Sequence, residues 1–170
     1  VVEGKEILLI KVGRRKYKIK IIDLVNNQEV TGDLGDCYLI DVNSELVVGK
    51  EYLGTIMCLN MQGQLLSEKQ HNHMILGRGL QYPKIFNDLV IVNIGVDKNT
   101  KTGNSSNSMR NCRIMALYKE NGEIKWEKVF EKFTPSRVIG DKVYIADQGN
   151  GLVLDAESGE VVSRVETNIS

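Results

Sequence analysis

No apolar run in this chain approaches the roughly 20 residues that a membrane-spanning helix requires; runs such as those at residues 7–10 and 89–92 are far shorter. Net charge is missing too. The 22 Lys and Arg balance 22 Asp and Glu, so no global field draws the chain to nucleic acid or an anionic bilayer. Cysteine is sparse, and Cys37, Cys58 and Cys112 are odd in number and widely spaced. They match neither a disulfide framework nor a CxxC metal knuckle, and read as small strand residues in a reducing compartment, which predicts a cytoplasmic location. No secretory leader is visible, but the chain opens on Val1; a leader upstream would indicate the cell envelope instead. Only two prolines occur, and Pro83 and Pro135 both stand just before strand patterns, where a missing N–H costs least. No segment holds a helical period over the roughly 11 residues needed to recognise one.

What is present is a repeated strand plan. Residues 114–129, IMALYKENGEIKWEKV, run from an apolar strand through a glycine turn into an alternating strand. Weaker versions recur at 153–165, VLDAESGEVVSRV, and at 57–68, MCLNMQGQLLSE. A fourth occupies 20–30, where Asn26-Asn27 replaces the glycine; asparagine is the next-best residue for positive φ. Gly122 and Gly159 lie 37 residues apart (159 − 122), and Asn27 and Gly63 lie 36 apart (63 − 27). The longer interval from Gly63 to Gly122 contains a polar insertion. Each copy opens with a short strand and a tight turn, then a β-branched strand such as LVIVNIG from Leu89, then a third strand such as RIMALY from Arg113. The fourth strand alternates, as Ile124 and Trp126 do against Lys125 and Glu127, and is therefore half exposed. The copies fall at about 1–35, 36–82, 83–134 and 135–170.

Four-stranded antiparallel units repeated this way resemble β-propeller blades. The expected fold is all-β, a propeller-type array of about four blades belonging to a larger ring completed by further blades or another chain; a β-sandwich or solenoid is the alternative. Copy three resembles the repeat of the PQQ-type (quinoprotein-like) propellers, which carry an Ala, a short gap, a Thr-Gly turn and a Trp four residues after the Gly. Ala116, Gly122 and Trp126 occupy these places, while Tyr118 and Asn121 depart from the family's Asp and Thr. Copy four keeps Asp155, Ser158 and Gly159 but has Val153 and Ser163 for the Ala and Trp; copy two keeps Gly63 and has Ser67 for the Trp. The resemblance implies that Trp126 packs between blades.

Enzyme chemistry finds little support in the sequence. The quinoprotein dehydrogenases of the resembled family need Ca²⁺ ligands, a quinone and an aspartate base, and no matching carboxylate cluster stands here. His71 and His73 alternate in HNH, yet two imidazoles without a third ligand make a poor zinc site. The same string lacks the ββα-metal setting of the nucleases that share it. Gly77-Arg78-Gly79 lacks the strand-to-helix setting of a phosphate loop. No bound cofactor or metal is expected.

Strand parity does suggest a binding face. In an up-and-down blade, the connection between strands two and three leaves from the same end as the link between blades. The polar insertion 96–111 and the link 70–82 are the longest connections, and both belong to that end of copy three. Long loops in compact domains are functional or mobile. Arg14, Arg15, Arg78, Lys98, Lys101 and Arg110, with His71 and His73, are the candidate contact residues. Acids such as Glu29, Asp88, Glu123, Asp141 and Glu157 gather at the opposite end, so an acidic protein would be steered to the loop-rich end. The expected function is a non-enzymatic protein-binding module: an adaptor, an assembly scaffold or an immunity protein that caps a bacterial toxin, the last two being what resemblance to cofactor-free family members implies. A segment of a quinoprotein oxidoreductase is the alternative.

Overall fold

The computed structural model describes residues 5–11, 17–33, 37–43, 46–51, 55–71, 83–96, 111–130, 135–147 and 149–166. These residues form fifteen β-strands in four antiparallel sheets, in each of which sequence neighbours pair. Among them no helix is long and apolar enough to cross a membrane. The all-β, four-stranded plan expected from the strand pattern is the one observed.

Blade one contains β1 (Lys5–Lys11), β2 (Tyr17–Asp23) and β3 (Gln28–Asp33). The short opening strand expected for it at residues 1–6 lies mostly outside the described residues. Blade two contains β4 (Cys37–Val42), β5 (Leu46–Glu51), β6 (Thr55–Asn60) and β7 (Leu65–Gln70). Blade three has β8 (Lys84–Phe86), β9 (Leu89–Val96), β10 (Asn111–Tyr118) and β11 (Ile124–Phe130), and blade four β12 (Ser136–Ile139), β13 (Lys142–Asp147), β14 (Asn150–Asp155) and β15 (Val161–Glu166).

The apolar side chains are not gathered at one centre. They form three clusters, each shared by two neighbouring sheets. Ile19 and Ile21 of blade one meet Leu59 and Met61 of blade two; Ile56 and Cys58 of blade two meet Val90, Val92, Ile94, Met115 and Leu117 of blade three. Leu89, Ile91, Ile114, Ala116 and Trp126 of blade three meet Val143, Ile145 and Leu154 of blade four. A middle blade is therefore buried on both faces, which is why Leu89 to Val92 run apolar without alternation. The face turned to the preceding blade is here called leading, the other trailing.

Each seam is locked at the turn between the third and outer strands. Gly159 sits at φ 71°, and a Cβ there would lie 2.6 Å from Cδ2 of Trp126. The indole covers the bare backbone and its Nε1 donates to the carbonyl of Ala156 at 3.0 Å. Only glycine meets both demands, positive φ and no side chain. The other seams repeat the arrangement with different side chains. Val30 covers Gly63, and the stem of Lys69 covers Gly122, each within 3 Å of where a Cβ would stand, while Ser67 Oγ donates to the Lys119 carbonyl at 2.9 Å. Strand register makes Val30, Ser67 and Trp126 equivalent, and Lys69 stands two residues beyond Ser67 on the same strand. A bulge in each outer strand pairs Cys58 with Ser67, Ala116 with Trp126 and Val153 with Ser163, and in the unbulged blade one Ile21 pairs with Val30. Small Ala116 leaves room for the indole opposite it.

Truncating a buried Trp costs about 3–5 kcal/mol, so Trp126→Ala is expected to lower the unfolding free energy by that amount in urea titration. Trp126→Phe keeps ring contact but loses the bond to Ala156 and should cost less. Equal stability of wild type and Trp126→Ala would refute the seam as a source of stability.

Candidate functional site

The end of blade three where β9 and β10 meet is set by strand polarity. Val96 pairs with Asn111, so residues 97–110 leave and return at that end of the sheet. β8 runs antiparallel to β9, with Lys84 opposite Ile91, so the link 72–82 enters blade three from the same end. Both roots are held by polar contacts in the seams. Asp41 of blade two accepts from the backbone N–H of Ile85 at 3.1 Å and from Lys84 Nζ at 3.3 Å. On the other side, Cys112 Sγ donates to Asn93 Oδ1 at 2.7 Å, and Asn93 Nδ2 donates to Ser136 Oγ of blade four at 3.2 Å. Asn93 is buried in the middle of an apolar strand, and a buried amide of this kind is tolerated only when satisfied. The single Asn in LVIVNIG marked it in the sequence; Asp41 and Ser136 carried no such signal.

Of the candidate contact residues, Arg14, Arg15, His73, Arg78, Lys98, Lys101 and Arg110 lie outside the described residues. His71 is described, and it is only 7% exposed. It follows β7 directly and lies near Glu123, whose carboxyl Lys69 holds in the charged form with a smaller contribution from His71. The surface position expected for His71 is thus corrected: the seam between blades two and three encloses it. Gly63, Gly122, Gly159, Ala116 and Trp126 stand in the seams described above.

The acidic end differs from its reading in sequence. Glu29, Asp88, Glu123, Asp141 and Glu157 each pair with a lysine, respectively Lys20, Lys119, Lys69, Lys142 and Lys125. Two of these pairs, Lys69–Glu123 and Lys125–Glu157, bridge adjacent blades. The dipole inferred from these acids is correspondingly weaker, because each of the five carboxylates has a lysine beside it. Among the described residues no three His, Cys, Asp or Glu side chains converge as metal ligands. Cys58 and Cys112 are buried thiols outside any disulfide; burial raises the Cys58 pKa, against a smaller opposing hydrogen bond with Ser67.

The fold is that of known β-propellers. Over 98% of this chain, BamB from Moraxella catarrhalis superposes with a TM-score of 0.61 at 16% identity. A quinohemoprotein alcohol dehydrogenase from Pseudomonas putida HK5 superposes over 98% at 0.59 and 12% identity, and the WD40 β-propeller domain of Doa1 over 97% at 0.53 and 12% identity. The chain spans 51%, 33% and 52% of those proteins, respectively. No family model and no curated protein matches the sequence.

The turn of blade four is organised around one carboxylate. Asp155 accepts from the N–H groups of Glu157 and Ser158 and pairs with Lys142 at 3.2 Å. The Ser158 backbone bond, then Lys142, lowers its pKa from 3.8 to about 2. A carboxyl depressed in the folded state stabilises above its unfolded pKa, and that stabilisation disappears as pH falls through the folded value. Wild type should therefore lose urea resistance between about pH 4 and pH 2, and Asp155→Asn should be less stable at neutral pH with a flatter acid limb. Parallel acid limbs in the two proteins would contradict this role.

Proposed function

We propose that this chain is a non-enzymatic propeller module that binds another protein through the end of blade three from which residues 72–82 and 97–110 emerge. The supporting observation is the common root of the two longest connections, fixed by the pairing of β9 with β10 and of β8 with β9. Blade three spends its apolar residues on two seams, which leaves recognition to the loops, where a rigid scaffold commonly carries it. Arg78, Lys98, Lys101 and Arg110 supply positive charge for an acidic partner, with Arg14, Arg15 and His73 as further contacts. Ala116, Gly122 and Trp126, with the indole seated on the next glycine turn, support a repeat of the quinoprotein-like type. A scaffold, adaptor or immunity role follows from that type, in the cytoplasm by the reduced-cysteine argument.

Lys98→Glu/Lys101→Glu should abolish capture of the partner retained by wild-type protein from lysate of the source cells and flatten the salt dependence of binding. Exposed substitutions of this kind change stability by about 0.5 kcal/mol or less, so the unfolding midpoint should hold. Equal capture by both proteins would reject this face. The likeness to a quinohemoprotein dehydrogenase favours one other reading, a segment of a quinoprotein oxidoreductase. Calorimetry with pyrroloquinoline quinone and Ca²⁺ separates the two: the binding-module reading expects no heat of binding from either, and micromolar affinity would transfer the proposal to the oxidoreductase.

A further inference from the structure

The turns between third and outer strands differ in the residue that precedes the glycine. Blade two has Gln62 before Gly63 and blade four Ser158 before Gly159, while in blade one Asn26 precedes Asn27. Blade three has Asn121 before Gly122, and the sequence contains one other Asn-Gly pair, Asn150-Gly151. Such a pair is chemically reactive. The main-chain nitrogen after an asparagine can close a succinimide ring on the side-chain amide carbon, and glycine hinders that nitrogen least because it has no Cβ. Gln62 would need a larger ring, Ser158 has no amide, and the residue after Asn26 carries a side chain.

Tertiary structure separates the two Asn-Gly pairs. Asn121 is exposed in its turn, and its Oδ1 accepts from the backbone N–H of Glu123 at 2.8 Å. That bond folds the side chain back over its own following peptide and polarises the amide carbonyl. It also lies where charge would develop on Oδ1 during ring closure, as the donor of an oxyanion hole does. Asn150 opens β14, where it pairs with Asp147 and Glu166, and Gly151 pairs with Ala146 and Val165. A peptide held extended between two strands cannot swing its nitrogen round to the side chain. One contact opposes reaction at Asn121: the Gly122 N–H donates to the Tyr118 carbonyl at 2.8 Å. Ring closure must open that bond first, a single bond in a turn against a ladder on both sides of β14.

We propose that Asn121 is a self-modification site, at which deamidation loosens the seam between blades two and three. The Gly122 nitrogen loses its proton to hydroxide and bonds to Cγ of Asn121, while the charge on Oδ1 rests against the Glu123 N–H. Collapse breaks the Cγ–Nδ2 bond, and ammonia leaves with a proton taken from water. Water then opens the succinimide at either ring carbonyl. Breaking the bond to Cγ gives aspartate; breaking the original main-chain bond gives isoaspartate, whose chain runs through Cβ and Cγ. The isoaspartyl form adds a carbon to the main chain beside Gly122, where even a Cβ would lie 2.9 Å from Cβ of Lys69. It also displaces the acceptor of the Glu123 N–H, and Glu123 is the residue that Lys69 pairs with across the seam. A turn covered this closely from the trailing face of blade two has no room for the longer chain. The proposal is independent of partner binding at the loop-rich end.

Ageing the folded 170-residue chain in mildly alkaline buffer, followed by tryptic mapping with mass spectrometry, tests it. Peptide 120–125 contains Asn121, and peptide 143–164 contains Asn150 as its only asparagine. The first should gain the mass of OH in place of NH₂ at least about tenfold faster than the second, within what one oxyanion donor supplies, and fragmentation should show isoaspartate. In denaturing urea the two should convert at similar rates, because both pairs then lie in open chain. Equal rates in the folded protein, or faster conversion at Asn150, would overturn the proposal. Aged wild type should also show a lower urea midpoint in step with its isoaspartate content, while Asn121→Gln aged alongside keeps its starting value. Fresh Asn121→Asp has the ordinary chain length and should lose less stability than the isoaspartyl fraction, which separates the added charge from the added carbon. Wild type converted at Asn121 with an unchanged midpoint would overturn the loosening of the seam.

Discussion

A glycine turn with no space for a side chain, covered by the outer strand of the preceding blade, is the contact on which the rest of this molecule depends. At Gly159 the closing group is an indole, at Gly63 a valine and at Gly122 a lysine stem. The side chains differ, but the separation does not, because the backbone of the turn itself forms the surface being covered. This close approach brings neighbouring sheets near enough for Ile19, Ile56 and Ile114 to be buried against the next blade. Stability then accrues seam by seam, as in other repeat folds in which each unit contacts only its neighbours.

Electrostatics follow the same geometry. Carboxylates at the turns find lysines on adjacent strands or blades, so charge at the turn-rich end fastens seams and is spent locally. Exposed ion pairs of this kind contribute little individually; their lysines also cover apolar surface with their stems, as Lys69 does over Gly122. At the opposite end of blade three, polar groups do a different task. Asp41, Asn93 and Ser136 tie the roots of two long connections to the blades on either side. A fixed base under variable loops is the arrangement that suits recognition.

Much of the fold was legible because strand period, turn residues and repeat spacing are local properties. Residues 114–129 announced a strand, a glycine turn and a second strand, and β10, the Gly122 turn and β11 are these. The candidate site was less legible. His71 reads as a loop residue in QHNHM, but the link begins one residue later and the seam encloses it. Acids at the turns read as a field, since nothing in a one-dimensional list shows that Lys69 reaches Glu123 or Lys125 reaches Glu157. Asn93 was visible as one polar residue in an apolar strand, whereas its partner Ser136 lies 43 positions away.

The sequence by itself determined the all-β class, the four-fold repetition and the glycine turns, because alternation, β-branching and positive-φ residues act over a few neighbours. Only the tertiary structure decided which side chain covers which turn. Where Ser67 stands in the place of Trp126, Lys69 two residues along the same strand covers the turn, and at the first seam Val30 covers it directly. The tertiary structure also decided which acids are neutralised, since that depends on the reach of a lysine between blades.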